Sequence, residues 1–121
     1  MTRIDCVPVG ELHDKHLLSN YRELPRVYAL AMRYYENGCK GKLPEAYCLG
    51  NGHVKFFYNK GTWLKRRFEQ EIVPEMQRRG FATNFTTYRE HPDILQNDWK
   101  PAANDLKIDR ERIAERIASF R

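Results

Sequence analysis

HDKHLLSNYRELPRVYALAMRYYEN, residues 13–37, decides the architecture of this chain. Leu17, Tyr21, Leu24, Tyr28, Ala31 and Tyr35 recur at alternating spacings of four and three. A helix turns roughly 100° per residue, so these side chains make one apolar stripe, the mark of an amphipathic helix packed on a core. The spacing predicts a helix from His13 to about Asn37, with Asn37-Gly38 as its C-terminal stop. Pro25 lies inside the run. It has no amide hydrogen, which predicts a kink between Tyr21 and Arg26.

The same reasoning extends outward. Leu64, Phe68, Ile72 and Met76 predict a second helix from Thr62 to Arg79, with Thr62 as N-cap, Gly80 as its end and a bend or split at Pro74. Ile113, Ile117 and Phe120 share one face of a last helix from about Asp109 to Phe120. Between these, Gly50 to Tyr58 reads as a turn followed by extended chain. Phe81 to Lys107 is irregular, with Pro92 and Pro101 as breakers. Trp63 and Trp99 are expected in the core or at its rim. No internal repeat is visible. The expectation is an all-α fold: a single domain over residues 1–121, with three main helices and irregular loops.

Hydrophobic residues make up 41% of the chain and charged residues 31%, enough to bury a core and too apolar for a disordered segment. The net charge of +5 favours an anionic partner, nucleic acid being the usual one. Cys6, Cys39 and Cys48 are odd in number and lack C-x-x-C spacing, so reduced thiols are expected. No apolar run suits a signal peptide or a membrane span, and the reading is a soluble, cytoplasmic protein. His13 and His16 are three apart, as metal ligands sometimes are, but no Cys or carboxylate at diagnostic spacing completes a site. Gly50-Asn51-Gly52 lacks the third glycine of a dinucleotide fingerprint. Neither a metal nor a cofactor is expected.

Chemistry concentrates on the face of the first helix opposite its apolar stripe. Lys15, Arg22, Arg26 and Arg33 project there together, as a phosphate backbone requires, although a solvated charged face has the same pattern. Glu23 stands on the flank of this row, with His16 close to it two turns earlier. A carboxylate there repels the phosphates its neighbours attract, and acid–base work or stabilisation of a cationic intermediate would justify it. An intrahelical ion pair with Arg26 is the simpler reading, and spacing alone favours it slightly.

Several stretches are familiar in sequence. Met1-Thr2-Arg3-Ile4, Glu11-Leu12, Asp14-Lys15-His16-Leu17 and Tyr21-Arg22-Glu23-Leu24-Pro25-Arg26-Val27 closely resemble the pyrimidine-dimer DNA glycosylase (bacteriophage endonuclease V) family. Leu49-Gly50, Gly52-His53-Val54, Phe56-Phe57-Tyr58 and Arg79-Gly80-Phe81 follow in the same order, so the similarity covers roughly residues 1 to 88. The resemblance implies one mainly helical domain whose first helix lies against lesion-containing double-stranded DNA. It implies removal of Met1 and a nucleophilic α-amine on Thr2, with Glu23 as the catalytic glutamate. Arg22 and Arg26 then hold phosphates, and Arg3, Lys15 and His16 lie near the DNA. The implied activity is base excision with abasic-site cleavage through a Schiff base, by a monomer on the nucleoid or on viral DNA in an infected cell. Two alternatives stay open: the same chemistry on another altered base or on abasic sites only, and a non-catalytic DNA-binding protein on the same scaffold.

Overall fold

The first helix, α1 (Asp14–Glu36), is the longest element, and its stripe sets the layout. The computed structural model describes residues 4–120. His13 caps α1 by accepting the Lys15 amide hydrogen on its Nδ1 (3.1 Å). At the other end Gly38 takes φ +82°, and the Gly38 and Cys39 amides reach back to the Tyr35 and Tyr34 carbonyls (3.0 and 2.9 Å). That is the left-handed stop which Asn37-Gly38 predicts. Leu17, Tyr21, Leu24, Val27 and Ala31 are buried. Tyr35 is 46% exposed because the stripe outlasts the core. The helix continues unbroken through Pro25.

Against α1 packs a rod of three consecutive pieces: α3 (Gly61–Arg66), a π-helical segment (Arg67–Ile72) and α4 (Val73–Arg78). Leu64, Phe68, Ile72 and Met76 are buried along it, as their spacing predicts. Pro74 does not split the rod. Its ring crowds the carbonyl four residues back, that of Gln70, and the chain there is already widened to π register. Thr62 is not the N-cap. Its hydroxyl donates instead to the Gln96 carbonyl (3.1 Å), tying the rod to the late loop.

The Gly50–Tyr58 stretch corrects the extended reading, for it folds as a short helix, α2 (His53–Phe56). Phe56 and Phe57 are adjacent in sequence and both buried, which a strand's alternation does not allow. They join Tyr47, Trp63 and Trp99 in an aromatic cluster with ring separations of 5.0–6.1 Å. Both tryptophans thus serve the core and its rim. The last helix, α5 (Ala103–Ala118), starts six residues before Asp109, because the Asp105 carboxylate accepts the Ala102 amide hydrogen (2.9 Å) and caps it early. The fold is all-α with three main helical bodies, and its elements share one hydrophobic cluster. Among the described residues no helix is long and apolar enough to cross a membrane.

Candidate active site

Residues 4–7 run as irregular chain through the interior, with Ile4, Asp5, Cys6 and Val7 all buried and in no helix or strand. Buried backbone without a ladder must find its hydrogen bonds elsewhere. Here side chains supply them. The Ile4 amide donates to His53 Nε2 (2.8 Å) and the Ile4 carbonyl accepts from the Tyr47 hydroxyl (3.3 Å). The Asp5 amide donates to Asn20 Oδ1 on α1 (2.9 Å). Arg67, 2% exposed, donates to the Asp5 and Val7 carbonyls (3.1 and 2.6 Å). Asp109 on α5 accepts the Cys6 and Val7 amide hydrogens (2.8 and 3.3 Å).

Two consequences follow from that burial. Asp109 lies beside Asp5 in the interior, and burial, with the neighbouring Asp5 carboxyl, holds Asp109 well above the usual carboxylate range. Burial, reinforced by Asp109, likewise pushes the Cys6 thiol far up, which keeps it inert.

Asn20 links this segment to the chemistry on α1. His16, Asn20 and Glu23 lie at i, i+4 and i+7 and share one side of the helix. The Glu23 side chain is 15% exposed and its Oε1 accepts from Arg26 Nη1 (3.3 Å). Its Oε2 is buried with no hydrogen-bond partner among the described residues. The ion pair expected from spacing therefore exists, yet it commits half of the carboxylate. His16 is nearly buried, with the Phe120 ring 5.6 Å away, and so stands apart from the exposed row. Thr2 and Arg3 lie outside the described residues.

Lys15, Arg22, Arg26 and Arg33 are all exposed, and the Lys15 ammonium rests 4.3 Å over the Phe120 ring. On the flank of this ridge away from Glu23 opens a pocket of about 350 Å³, lined by Pro25, Tyr28, Ala29, Phe85, Tyr88 and Arg89 among others. The Tyr21 hydroxyl fixes its wall by donating to the Phe85 carbonyl (2.9 Å) and accepting the Phe85 amide hydrogen (3.1 Å). The Phe85 ring stacks on Tyr21 at 4.5 Å and is 43% exposed. An α-helix thus carries a half-free carboxylate on one side, cations along its crest and an open aromatic pocket on the other.

Residues 1–89 match the family described as pyrimidine dimer DNA glycosylase. This chain belongs to that family. The matched span contains the terminal segment, α1, the α3–α4 rod and the Phe85 wall of the pocket. Helix α5 lies beyond it, although Asp109 on α5 clamps Cys6 and Val7. Sequence reasoning missed five side chains that hold residues 4–7: Asn20, Tyr47, His53, Arg67 and Asp109. Two left a signal. Asn20 is a polar residue on the apolar side of α1, and Asp109 sits four residues before buried Ile113. Among the described residues no group of three or more His, Cys, Asp or Glu is placed to hold a metal ion.

Proposed function

We propose that this chain is a DNA glycosylase with abasic-site lyase activity, acting on ultraviolet-induced pyrimidine dimers through the free α-amine of Thr2 once Met1 is removed. The observation that carries the reading is the clamp on residues 4–7. Four structural elements place buried side chains around this buried segment, and that segment leads directly to Thr2. Covalent geometry keeps the Thr2 nitrogen within about 7 Å of the Ile4 nitrogen. An α-amine has a pKa near ~8, so near neutral pH a useful fraction is unprotonated and nucleophilic.

The amine attacks C1′ of the damaged nucleotide. A nitrogen–C1′ bond forms, and the glycosidic bond breaks with its electron pair leaving on the base, which takes up a proton. Opening of the sugar ring gives an iminium. Loss of the C2′ proton then expels the 3′ phosphate by β-elimination, and water releases the enzyme from the imine. Glu23 is the group suited to offset the iminium charge and to carry these protons, because Oε2 has no other partner among the described residues. Arg22, Arg26 and Lys15, with Arg3, bind the phosphates on either side. The aromatic pocket beyond the ridge suits a base extruded from the complementary strand, opposite the lesion. His16 contributes from beneath, alongside Glu23, rather than as a phosphate contact.

Borohydride trapping tests the reading. Irradiated duplex should yield a covalent protein–DNA adduct whose mass and fragmentation place DNA on the Thr2 nitrogen of a chain lacking Met1. No adduct on either irradiated or abasic duplex would leave a DNA-binding protein; an adduct on abasic duplex alone would move the activity to another lesion.

A further inference from the structure

Gly52-His53-Val54 has no role in the chemistry above, yet among the described residues His53 holds the amide nearest the Thr2 end of the chain. The Ile4 amide can only donate and the Cys48 carbonyl can only accept. His53 meets the first through Nε2 at 2.8 Å and the second through Nδ1 at 2.7 Å. The ring is therefore the neutral tautomer with its proton on Nδ1, fixed at both ends by backbone.

The local sequence builds this arrangement. Gly52 has φ +86°, and a Cβ there would meet Pro44 Cγ at 2.9 Å, so only glycine lets the loop fold back to bring Cys48 under His53. Edge contacts with Tyr47 and Phe57, at 5.5 and 5.6 Å, hold the ring plane. Tyr47 in turn donates to the Ile4 carbonyl. Asn20, Arg67 and Asp109 hold residues 5–7, whereas His53 and Tyr47 alone of these five hold residue 4.

We propose that His53, seconded by Tyr47, is a positioning residue that sets where the N-terminal amine stands for the imine-forming step; the inference rests on the Thr2 reading above. Attack on C1′ needs a separation near ~3 Å, and a misplacement of about 1 Å is worth roughly 100-fold in rate. Two residues of chain separate the Thr2 nitrogen from the Ile4 nitrogen, so freedom at Ile4 passes to the amine. The basic crest of α1 has no part in this anchor, and DNA affinity is independent of it.

The test compares wild type, His53→Phe and His53→Gln in single-turnover borohydride trapping on an abasic duplex. Duplex Kd and Tm are measured in parallel. Phe keeps the ring contacts and removes both nitrogens; Gln restores an acceptor for Ile4 without a ring. Expected are trapping at least about 30-fold slower for His53→Phe with Kd within about twofold of wild type, and recovery to within about fivefold for His53→Gln. Trapping by His53→Phe at the wild-type rate, or a folded His53→Gln as slow as His53→Phe, overturns the proposal. If His53→Phe does not fold, Tyr47→Phe reads the same anchor: trapping several-fold slower at unchanged Kd supports it, and the wild-type rate overturns it. Absence of any adduct from wild type removes the amine reading itself and, with it, this inference, which separates the two failures.

Discussion

Glu23 and Arg26 are joined through one carboxylate oxygen at 3.3 Å, and the other oxygen is buried without a hydrogen-bond partner among the described residues. A purely structural ion pair on a helix surface has no reason to bury an unsatisfied oxygen, since that carries a desolvation cost. Glu23→Gln keeps the shape and can still accept from Arg26, while losing the charge and the basicity. It should bind lesion duplex as wild type does and cleave it at least about 100-fold more slowly. Gel-shift and single-turnover cleavage on one substrate check this. Equal loss of binding and cleavage would make the carboxylate structural.

Arg26 is 70% exposed on the crest, so its pairing with Glu23 contributes little to stability. The role proposed for it is a phosphate contact. Arg26→Ala should lower duplex affinity and reduce the slope of log K against log salt by about one unit at most, leaving Tm nearly unchanged. Titration at four salt concentrations measures it. An unaltered slope would take Arg26 out of the DNA interface.

Helices and core were legible in sequence because each rests on a local period. The α1 stripe, its Asn37-Gly38 stop and the Leu64–Met76 row needed nothing beyond 3.6 residues per turn. Gly50–Tyr58 was misread because glycines mixed with aromatics resemble a turn and extended chain, whereas a short helical corner presents Phe56 and Phe57 inward. The charged crest and the odd placement of Glu23 were legible for the same local reason. The clamp was not. Asn20, His53, Arg67 and Asp109 meet residues 4–7 across sequence separations of 15, 49, 60 and 103 residues, and no local pattern encodes such a meeting. Charge at Arg67 and Asp109 gives no hint of burial, whereas both are buried with backbone carbonyls and amides as partners.

Arg67 separates folding from chemistry. It gives donors to two buried carbonyls and pairs with Glu71 at 3.0 Å. Arg67→Met keeps much of the apolar stem and strands both carbonyls, at about 1–3 kcal/mol for each. The urea midpoint should fall accordingly, and trapping should fall with it because the clamp on residues 5–7 loosens. Glu23→Gln, in contrast, should lose activity at unaltered stability. An Arg67→Met protein as stable as wild type would mean that water replaces the guanidinium as donor to the two carbonyls.

Asp109 should make stability fall as pH rises across the mildly acidic range. The folded protein holds its proton up to about 7, against 3.8 for an ordinary aspartate, because of burial and the Asp5 carboxyl. Between those values the folded state binds more protons than the unfolded chain, so this contribution is complete below about 4 and lost above about 7. Glu75 acts elsewhere: Arg78 and Arg79 pull it down to about 2, so its contribution is present above 4.5 and lost as pH falls through 2. His91 does overlap, since burial lowers it from 6.5 and its contribution fades as pH falls. Comparison with Asp109→Asn cancels that common part. The amide imitates the protonated acid, its oxygen accepting from Cys6 and Val7 and its nitrogen donating to Asp5. Urea midpoints at pH 4.5, 6 and 8 should therefore show the variant gaining on wild type at each step, with its largest advantage at pH 8. A variant that loses ground at pH 8 would mean that the carboxylate is held ionised against the two amides, and the raised affinity of Asp109 for its proton would be excluded.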